Sequence, residues 1–169
     1  SDAWKMWLNS GVAMVKRPAA AVTAAAGWLG NLPEPQPIHE MEIAFRLDPT
    51  VFDGRYANNG WLQELPKPLT SLTWDNAALI SPATAEALGV KRSGNHVEIK
   101  ANGQSITIPA LITVGHPDGS VTLHMGYGRT RGGSVTEGTG TNVFPLRHSK
   151  SATYDKAEVA SVAGFTALA

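Results

Sequence analysis

The sequence predicts a mainly β protein with a few short helices, folded as a small closed barrel. Short stretches in which apolar and polar residues alternate recur along the chain, and the first covers Met41 to Leu47. The 17 glycines and 11 prolines supply turns between these stretches. Asn102-Gly103, between two alternating stretches, is a strong signal for a two-residue hairpin. Many short strands joined in this way favour a closed barrel.

The composition excludes several classes of function. Positive and negative residues balance at 14 each, which argues against a nucleic-acid partner. The chain has no cysteine, so it cannot hold a cysteine-ligated iron–sulfur cluster or a disulfide. It has no run of about 18 apolar residues, so we expect no direct membrane insertion. Because the first residue is serine rather than methionine, we expect a processed or excised fragment, soluble by itself.

Three parts are predicted along the chain. Residues 1–37 contain an amphipathic helix, with Trp4 and Trp7 on one face, and a linker rich in alanine and proline. We expect this part to pack on the barrel. Residues 38–150 form the barrel itself. Residues 151–169 form a C-terminal strand and turn segment, which we interpret as the start of a truncated following region.

Within the barrel, one helix carries clear end signals. Ser81 suits the N-cap, Pro82 suits the first helical position, and Gly89 suits the left-handed position after the last turn. The elements after the first strand are expected in this order: a strand over 70–74, a helix over 82–88, a hairpin with arms at 97–99 and 106–111, a strand over 121–125, and apolar residues 143–146 that close the barrel.

Trp74, Asp75 and Asn76 form the first candidate site. They are predicted to follow a strand and to lie beside a helix N-terminus. An aromatic side chain, a carboxylate and an amide in that place can hold a polar ligand. They can equally satisfy one another, and the backbone, in a tight turn. The sequence leaves both interpretations open, and we favour the second.

A glycine-rich stretch, residues 126–140, forms the second candidate site. It begins Gly126-Tyr127-Gly128-Arg129, but Arg131 occupies the last position of a G-x-G-x-x-G motif. Successive backbone N–H groups together with Arg129 and Arg131 can bind an anion. The alternative is a flexible crossover with no ligand.

Metal binding and hydrolysis are not predicted. None of the five histidines is paired with a second histidine or a carboxylate at helical metal-ligand spacing. His116 precedes a proline in a predicted turn. The sequence lacks the G-x-S-x-G motif of a nucleophile elbow. We therefore predict no metal site and no catalytic residue in this chain.

Several strings of residues carry a resemblance to a known family. Ile80-Ser81-Pro82, Ala85 and Leu88-Gly89-Val90, followed by Gly94, Val97 and Ile99, resemble the C-terminal domain of molybdopterin oxidoreductases. That domain is a double-psi β-barrel. NNGWLQELPKPLT, TWDNAALISPATA, GHPDGSVTLHMGYGR and GTGTNVFPLR resemble, more narrowly, the molybdopterin-oxidoreductase-like iron–sulfur subunit of bacterial alternative complex III.

The resemblance implies a surface that faces a pterin guanine dinucleotide. The glycine-rich loop and Asn142 lie on that surface in enzymes of the family. The residues that we assign to cofactor binding are Trp74, Asp75, Asn76, His116, Tyr127, Arg129 and Asn142. However, Ser81-Pro82 with Thr84, and Gly94-Asn95, stand where cofactor-binding relatives often carry a carboxylate. The resemblance therefore favours a scaffold domain without a cofactor of its own.

The resemblance also implies partners and a location. The partners are the remaining domains of the same subunit and other subunits of a membrane-associated, quinol-oxidising respiratory complex. The location is the periplasmic side of a bacterial membrane. Iron–sulfur clusters would lie in a following domain. Two alternatives stay open: a domain that binds molybdopterin guanine dinucleotide in an active enzyme, and an unrelated β-barrel binding module.

Overall fold

The computed structural model describes residues 1–12, 19–31, 41–149 and 152–169. The chain divides into two compact units, Ser1–Gln36 and Pro37–Ala169. In the first unit, helix α1 covers Asp2–Ser10 and ends at Gly11, which has a left-handed φ of 69°. A 3₁₀ helix covers Trp28–Asn31. Residues 13–18 and residues 32–37 of the predicted linker lie outside the described residues.

The second unit is a closed β-barrel, which confirms the predicted fold class. Its strand order is β1-β5-β2-β4-β3-β6, with β6 adjacent to β1. Among the described residues it has six strands and two short α-helices: β1 Met41–Arg46, α2 Gly60–Glu64, β2 Ala78–Ile80, α3 Pro82–Leu88, β3 Asn95–Ala101, β4 Gln104–Ile112, β5 Ser120–His124 and β6 Tyr154–Phe165.

Two parallel strand pairs characterise the barrel. β1 pairs with β5 in parallel, with Ile43 opposite Val121. β2 pairs with β4 in parallel, with Leu79 opposite Leu111. The other neighbours are antiparallel. Two parallel pairs linked by antiparallel neighbours in one closed barrel agree with the double-psi arrangement. The interior is apolar, and its largest fully buried side chains include Ile43, Ile80, Ile99, Ile108 and Leu123.

Short sequence motifs correctly predicted two local elements, helix α3 and the turn between β3 and β4. Ser81 Oγ accepts a hydrogen bond from the Thr84 N–H, Pro82 opens α3, and Gly89 ends it with φ 73°. Asn102 and Gly103 have φ of 54° and 72°, the two left-handed residues of a type I′ hairpin turn between β3 and β4. These predictions are confirmed.

The predicted strand over 70–74 is wrong. The strand of this region is β2, which begins at Ala78. Ser71 and Trp74 have φ of 58° and 55°, and left-handed residues cannot continue an extended strand. Residues 47–77 instead form one long excursion from the barrel, which contains the short helix α2 and an isolated bridge between Asp48 and Phe52.

The predicted closure and the domain end at residue 150 also need correction. Phe144–Leu146 is a 3₁₀ helix rather than a strand, although Val143 and Leu146 are buried in the core. β6 closes the barrel by pairing with both β1 and β3. The predicted C-terminal strand and turn segment therefore contributes a barrel strand, since β6 runs without a break from Tyr154 to Phe165. The structure describes each unit by itself, so the expected packing of residues 1–37 stays a prediction.

Candidate functional site

The glycine-rich loop lines an open cavity of about 320 Å³. Arg129, Arg131 and Asn142 are exposed at this cavity, whereas Tyr127 is buried beneath it. Its described lining contains no carboxylate: Gly126, Tyr127, Gly128, Arg129, Thr130, Arg131, Asn142 and Phe144. The structure therefore brings together three of the residues predicted to bind a cofactor, Tyr127, Arg129 and Asn142.

Glycines allow the loop, residues 126–131, to pack closely on its neighbours. The Gly128 N–H donates to the Thr139 carbonyl at 2.8 Å. A Cβ on Gly128 would collide with the backbone of Asn142, and its φ of 70° disfavours any other residue. A Cβ on Gly54 would lie 2.6 Å from a guanidinium nitrogen of Arg129. The Arg129 side chain therefore packs against Gly54 of the excursion.

The donor set of the cavity fits phosphate groups. Two guanidinium groups offer several N–H donors in a planar arrangement that matches phosphate oxygens. The Asn142 side chain adds an amide, although its oxygen already accepts from the Phe144 N–H at 3.1 Å. A dinucleotide with a diphosphate link is an anion of the kind that such a cavity can hold. The residues present therefore fit the phosphate part of a pterin dinucleotide.

Asn76 is buried and its side chain is occupied by the protein. Its amide nitrogen donates to the carbonyls of His124 at 2.9 Å and Thr141 at 3.0 Å. Its oxygen accepts from the Thr141 N–H at 2.7 Å. Asn76 thus ties the excursion to the end of β5 and to the segment before Asn142. Both amide protons are used, which favours the interpretation of a residue that satisfies the backbone.

Trp74 and Asp75 are half-buried next to Asn76. The Trp74 N–H donates to the Gln63 carbonyl at 3.0 Å, so the excursion fixes its left-handed backbone. Asp75 accepts from the Asn76 N–H at 2.8 Å through its carboxylate. Burial raises the pKa of the Asp75 carboxyl above its ordinary value. Trp74 therefore does not end a strand, and its half-buried side chain is not part of the buried core.

The structure does not bring His116 to the cavity. It lies in the turn before β5, where one ring nitrogen is 2.9 Å from the Thr122 hydroxyl and the other is 3.1 Å from the Pro117 carbonyl. Both ring nitrogens therefore have partners within or next to their own turn. His116 holds the turn against the following strand.

A buried charged cluster beneath the cavity was missed by the sequence analysis. Lys67 and Asp48 are 3% and 2% exposed, and Lys67 Nζ lies 3.7 Å from Asp48 Oδ2. Lys67 Nζ also donates to the Tyr127 hydroxyl at 2.8 Å. Burial lowers the pKa of Lys67, although the Asp48 charge opposes this, and burial raises the pKa of Tyr127. The only sequence signal is a lysine held between Pro66 and Pro68.

His124, at the end of β5, makes stability depend on pH. Burial lowers the pKa of its imidazole below the ordinary 6.5, and nearby Lys67 and Arg46 contribute to this, while Asp48 opposes it. The unfolded chain therefore takes up a proton at higher pH than the folded chain. The contribution of His124 is complete above pH 6.5 and is lost as the pH falls through the lower, folded pKa.

We expect the urea midpoint to fall as the pH is lowered from about 7.5 to about 5.5, and the His124→Gln variant to show a smaller fall. The measurement is urea denaturation of both proteins at several pH values. Equal pH dependence in the two proteins would show that His124 does not carry the effect.

The described part of the chain holds neither a cluster of metal-ligating side chains nor a membrane-spanning helix. No group of three or more histidine, aspartate or glutamate side chains there could hold a metal ion. Within the same residues, no helix has the length and apolar character needed to cross a bilayer.

The fold and the cavity together define a class: a small double-psi-type barrel with a basic, glycine-lined cavity. Residues 54–157, more than half of the chain, match the family model described as "Molydopterin dinucleotide binding domain". The chain belongs to this family and is a molybdopterin dinucleotide-binding domain of the molybdopterin oxidoreductase type. The predicted resemblance to the C-terminal domain of molybdopterin oxidoreductases is confirmed, and the alternative of an unrelated binding module is excluded. The narrower resemblance to the subunit of alternative complex III stays a prediction.

One similar solved structure is acetylene hydratase from Pelobacter acetylenicus. The match has a TM-score of 0.54 and 17% sequence identity, and it covers 73% of this chain but only 18% of that chain. At this identity the likeness concerns the fold alone. Comparison of the sequence with curated proteins found no match.

Proposed function

We propose that the chain is the barrel domain of a molybdopterin-oxidoreductase-like subunit in a bacterial quinol-oxidising respiratory complex, where it acts as a scaffold without a cofactor of its own. The observation that carries the scaffold role is Asn76, whose amide is used entirely to join protein segments. The respiratory role is supported by the strings over 58–70, 73–85, 115–129 and 138–147, which resemble the subunit of alternative complex III.

The proposal includes partners and a location. The partners are the remaining domains of the same subunit and other subunits of the membrane-associated complex, on the periplasmic side. The chain contacts no nucleic acid and does not insert into the membrane. Iron–sulfur clusters belong to a following domain, since this chain has no cysteine to ligate one. It is not catalytic by itself.

Metal analysis and fluorescence test the scaffold role. We expect the purified protein to contain no stoichiometric molybdenum or tungsten and no pterin fluorescence. A tagged copy expressed in its source bacterium should co-purify with quinol-oxidising activity from solubilised membranes. A stoichiometric metal with a pterin signal would overturn the scaffold role, and a tagged copy isolated without quinol-oxidising subunits would overturn the respiratory role.

A second candidate function is binding of the dinucleotide part of a pterin cofactor. The specific observation in its favour is the cavity with Arg129 and Arg131 at its edge. These arginines would hold the phosphates, the backbone of Gly128 would approach them closely, and Asn142 would contact the guanine. The bound metal centre would supply the redox chemistry. This chain would only bind and orient the nucleotide end.

Titration with guanosine diphosphate tests this second function. If the cavity binds phosphates, chemical shifts of residues 126–131 and Asn142 should change, and Arg129→Ala should weaken binding by about tenfold through loss of charge-assisted hydrogen bonds. Arg92→Ala is the matched control, because exposed Arg92 lies over the Phe165 ring and does not line the cavity. Unchanged shifts at millimolar nucleotide would remove the second function.

A further inference from the structure

We propose that Lys67 is a positioning residue for the cavity loop, residues 126–131: its buried ammonium fixes Tyr127 and, through Tyr127, the loop that presents Arg129. Lys67 does not line the cavity. The inference rests on the second candidate function, phosphate binding at that cavity. It assigns a role to a residue of the excursion outside the set that the sequence predicted to bind a cofactor.

The ammonium of Lys67 is surrounded by fixed acceptors. Nζ donates to the Tyr127 hydroxyl at 2.8 Å and to the Asp75 carbonyl at 2.9 Å, with the Leu72 carbonyl at 3.4 Å and Asp48 Oδ2 at 3.7 Å. It also lies 4.8 Å from the centroid of the Tyr127 ring. An ammonium has three protons to donate, so this environment uses all of them. The Tyr127 side chain therefore has one favoured position.

The carboxylate opposite Lys67 is itself held in place. Asp48 Oδ1 accepts from the N–H and the hydroxyl of Thr50, at 2.9 and 2.7 Å, and from the Val51 N–H at 3.0 Å. Val51 and Tyr127 belong to one small buried apolar cluster. The start of the excursion and the start of the cavity loop are thus joined twice, through charge and through apolar contact.

The position of Tyr127 determines the rest of the cavity loop. The next residue, Gly128, is hydrogen-bonded to Thr139, and Arg129 rests against Gly54 of the excursion. A displacement of Tyr127 would disturb both contacts. Arg129 is exposed, so its placement depends on this backbone rather than on burial of its own side chain.

Stabilisation of the fold does not by itself explain the buried cluster of Asp48 and Lys67. Removing two charges from water costs about as much as their attraction returns, so apolar replacement of a buried ion pair is often neutral. A buried pair can instead specify one geometry among several. At this cluster the geometry that is specified is that of the cavity loop.

The first test is amide hydrogen exchange in the double variant Asp48→Asn/Lys67→Met, which removes both charges and keeps similar shapes. The reference amide is that of Gly94, bonded to the Ala110 carbonyl within the barrel. We expect exchange at Gly128 to accelerate about tenfold relative to exchange at Gly94. Equal acceleration at both amides would indicate lost global stability only and would overturn the proposal.

The second test is binding of guanosine diphosphate to the same protein. We expect the dissociation constant to rise about tenfold in the double variant. Lys91→Met, which removes an exposed lysine outside the cavity lining, should leave it unchanged. Wild-type affinity in the double variant would overturn the positioning role. If the wild-type protein does not bind the nucleotide, phosphate binding fails as a function, and the exchange ratio alone decides whether Lys67 fixes the loop.

Discussion

Replacing Lys67 alone with methionine should lower the free energy of unfolding by about 3–5 kcal/mol, because it leaves the buried Asp48 carboxylate without its counter-charge. The Asp48 side chain is fully buried, and Oδ2 has no hydrogen-bond partner among the described residues. The positive charge of the Lys67 ammonium compensates the negative charge of the Asp48 carboxylate. The measurement is urea denaturation at neutral pH, followed by tryptophan fluorescence.

Two controls make the Lys67 result specific. The double variant Asp48→Asn/Lys67→Met should recover most of the loss. Removing both charges destabilises the fold far less than leaving one buried charge without its partner. Lys100→Met removes the partner of Glu98 in a partly exposed ion pair of 3.0 Å and should cost at most about 1 kcal/mol. A single Lys67 variant as stable as the double variant would show that Asp48 is not a costly buried charge.

Local elements could be predicted because their signals and their causes are close together in the chain. Helix α3 has its N-cap, first proline and terminal glycine within nine residues, and all three act as the sequence predicts. The Asn102-Gly103 turn likewise determines its own conformation through two left-handed residues. In such elements the sequence needs no knowledge of the rest of the fold.

Closure of the barrel could not be predicted because it depends on distant pairing. The alternating pattern of β6 shows that it is a strand but does not show that it joins β1 and β3. Val143 and Leu146 are as apolar as strand residues, yet they enter the core from a 3₁₀ helix and the residue that precedes it. The strand predicted over 70–74 failed because nothing in the sequence marks Trp74 as left-handed.

The sequence predicted the candidate site only in part, because some of its residues are neighbours in the chain and others meet only in the folded protein. Tyr127 and Arg129 are neighbours in a loop, so their joint position at the cavity follows from the sequence, and Asn142 joins them as the resemblance implied. Lys67 was missed because an exposed surface is the ordinary place for a lysine. Its burial follows from four acceptors that only the folded excursion assembles around it.

Asn76→Ala should lower the free energy of unfolding by about 2–4 kcal/mol, because it leaves several partly buried backbone groups without a hydrogen-bond partner. Each such group costs about 1–3 kcal/mol when unpaired. The groups are the carbonyls of His124 and Thr141 and the N–H of Thr141. Asn76→Asp should not rescue the loss, since a carboxylate cannot donate to two carbonyl oxygens and would repel them. Urea denaturation of both variants measures the effect.

Asn142→Ala is the matched control, because Asn142 is an exposed asparagine at the cavity and makes one hydrogen bond to the Phe144 N–H. Its removal should cost at most about 1 kcal/mol, the typical net value of a single hydrogen bond. If the cavity binds guanosine diphosphate, Asn142→Ala should weaken that binding instead. Asn76 would thus act on stability and Asn142 on affinity. An Asn76→Ala protein within about 0.5 kcal/mol of wild type, the range of an ordinary surface substitution, would contradict the scaffold role of Asn76.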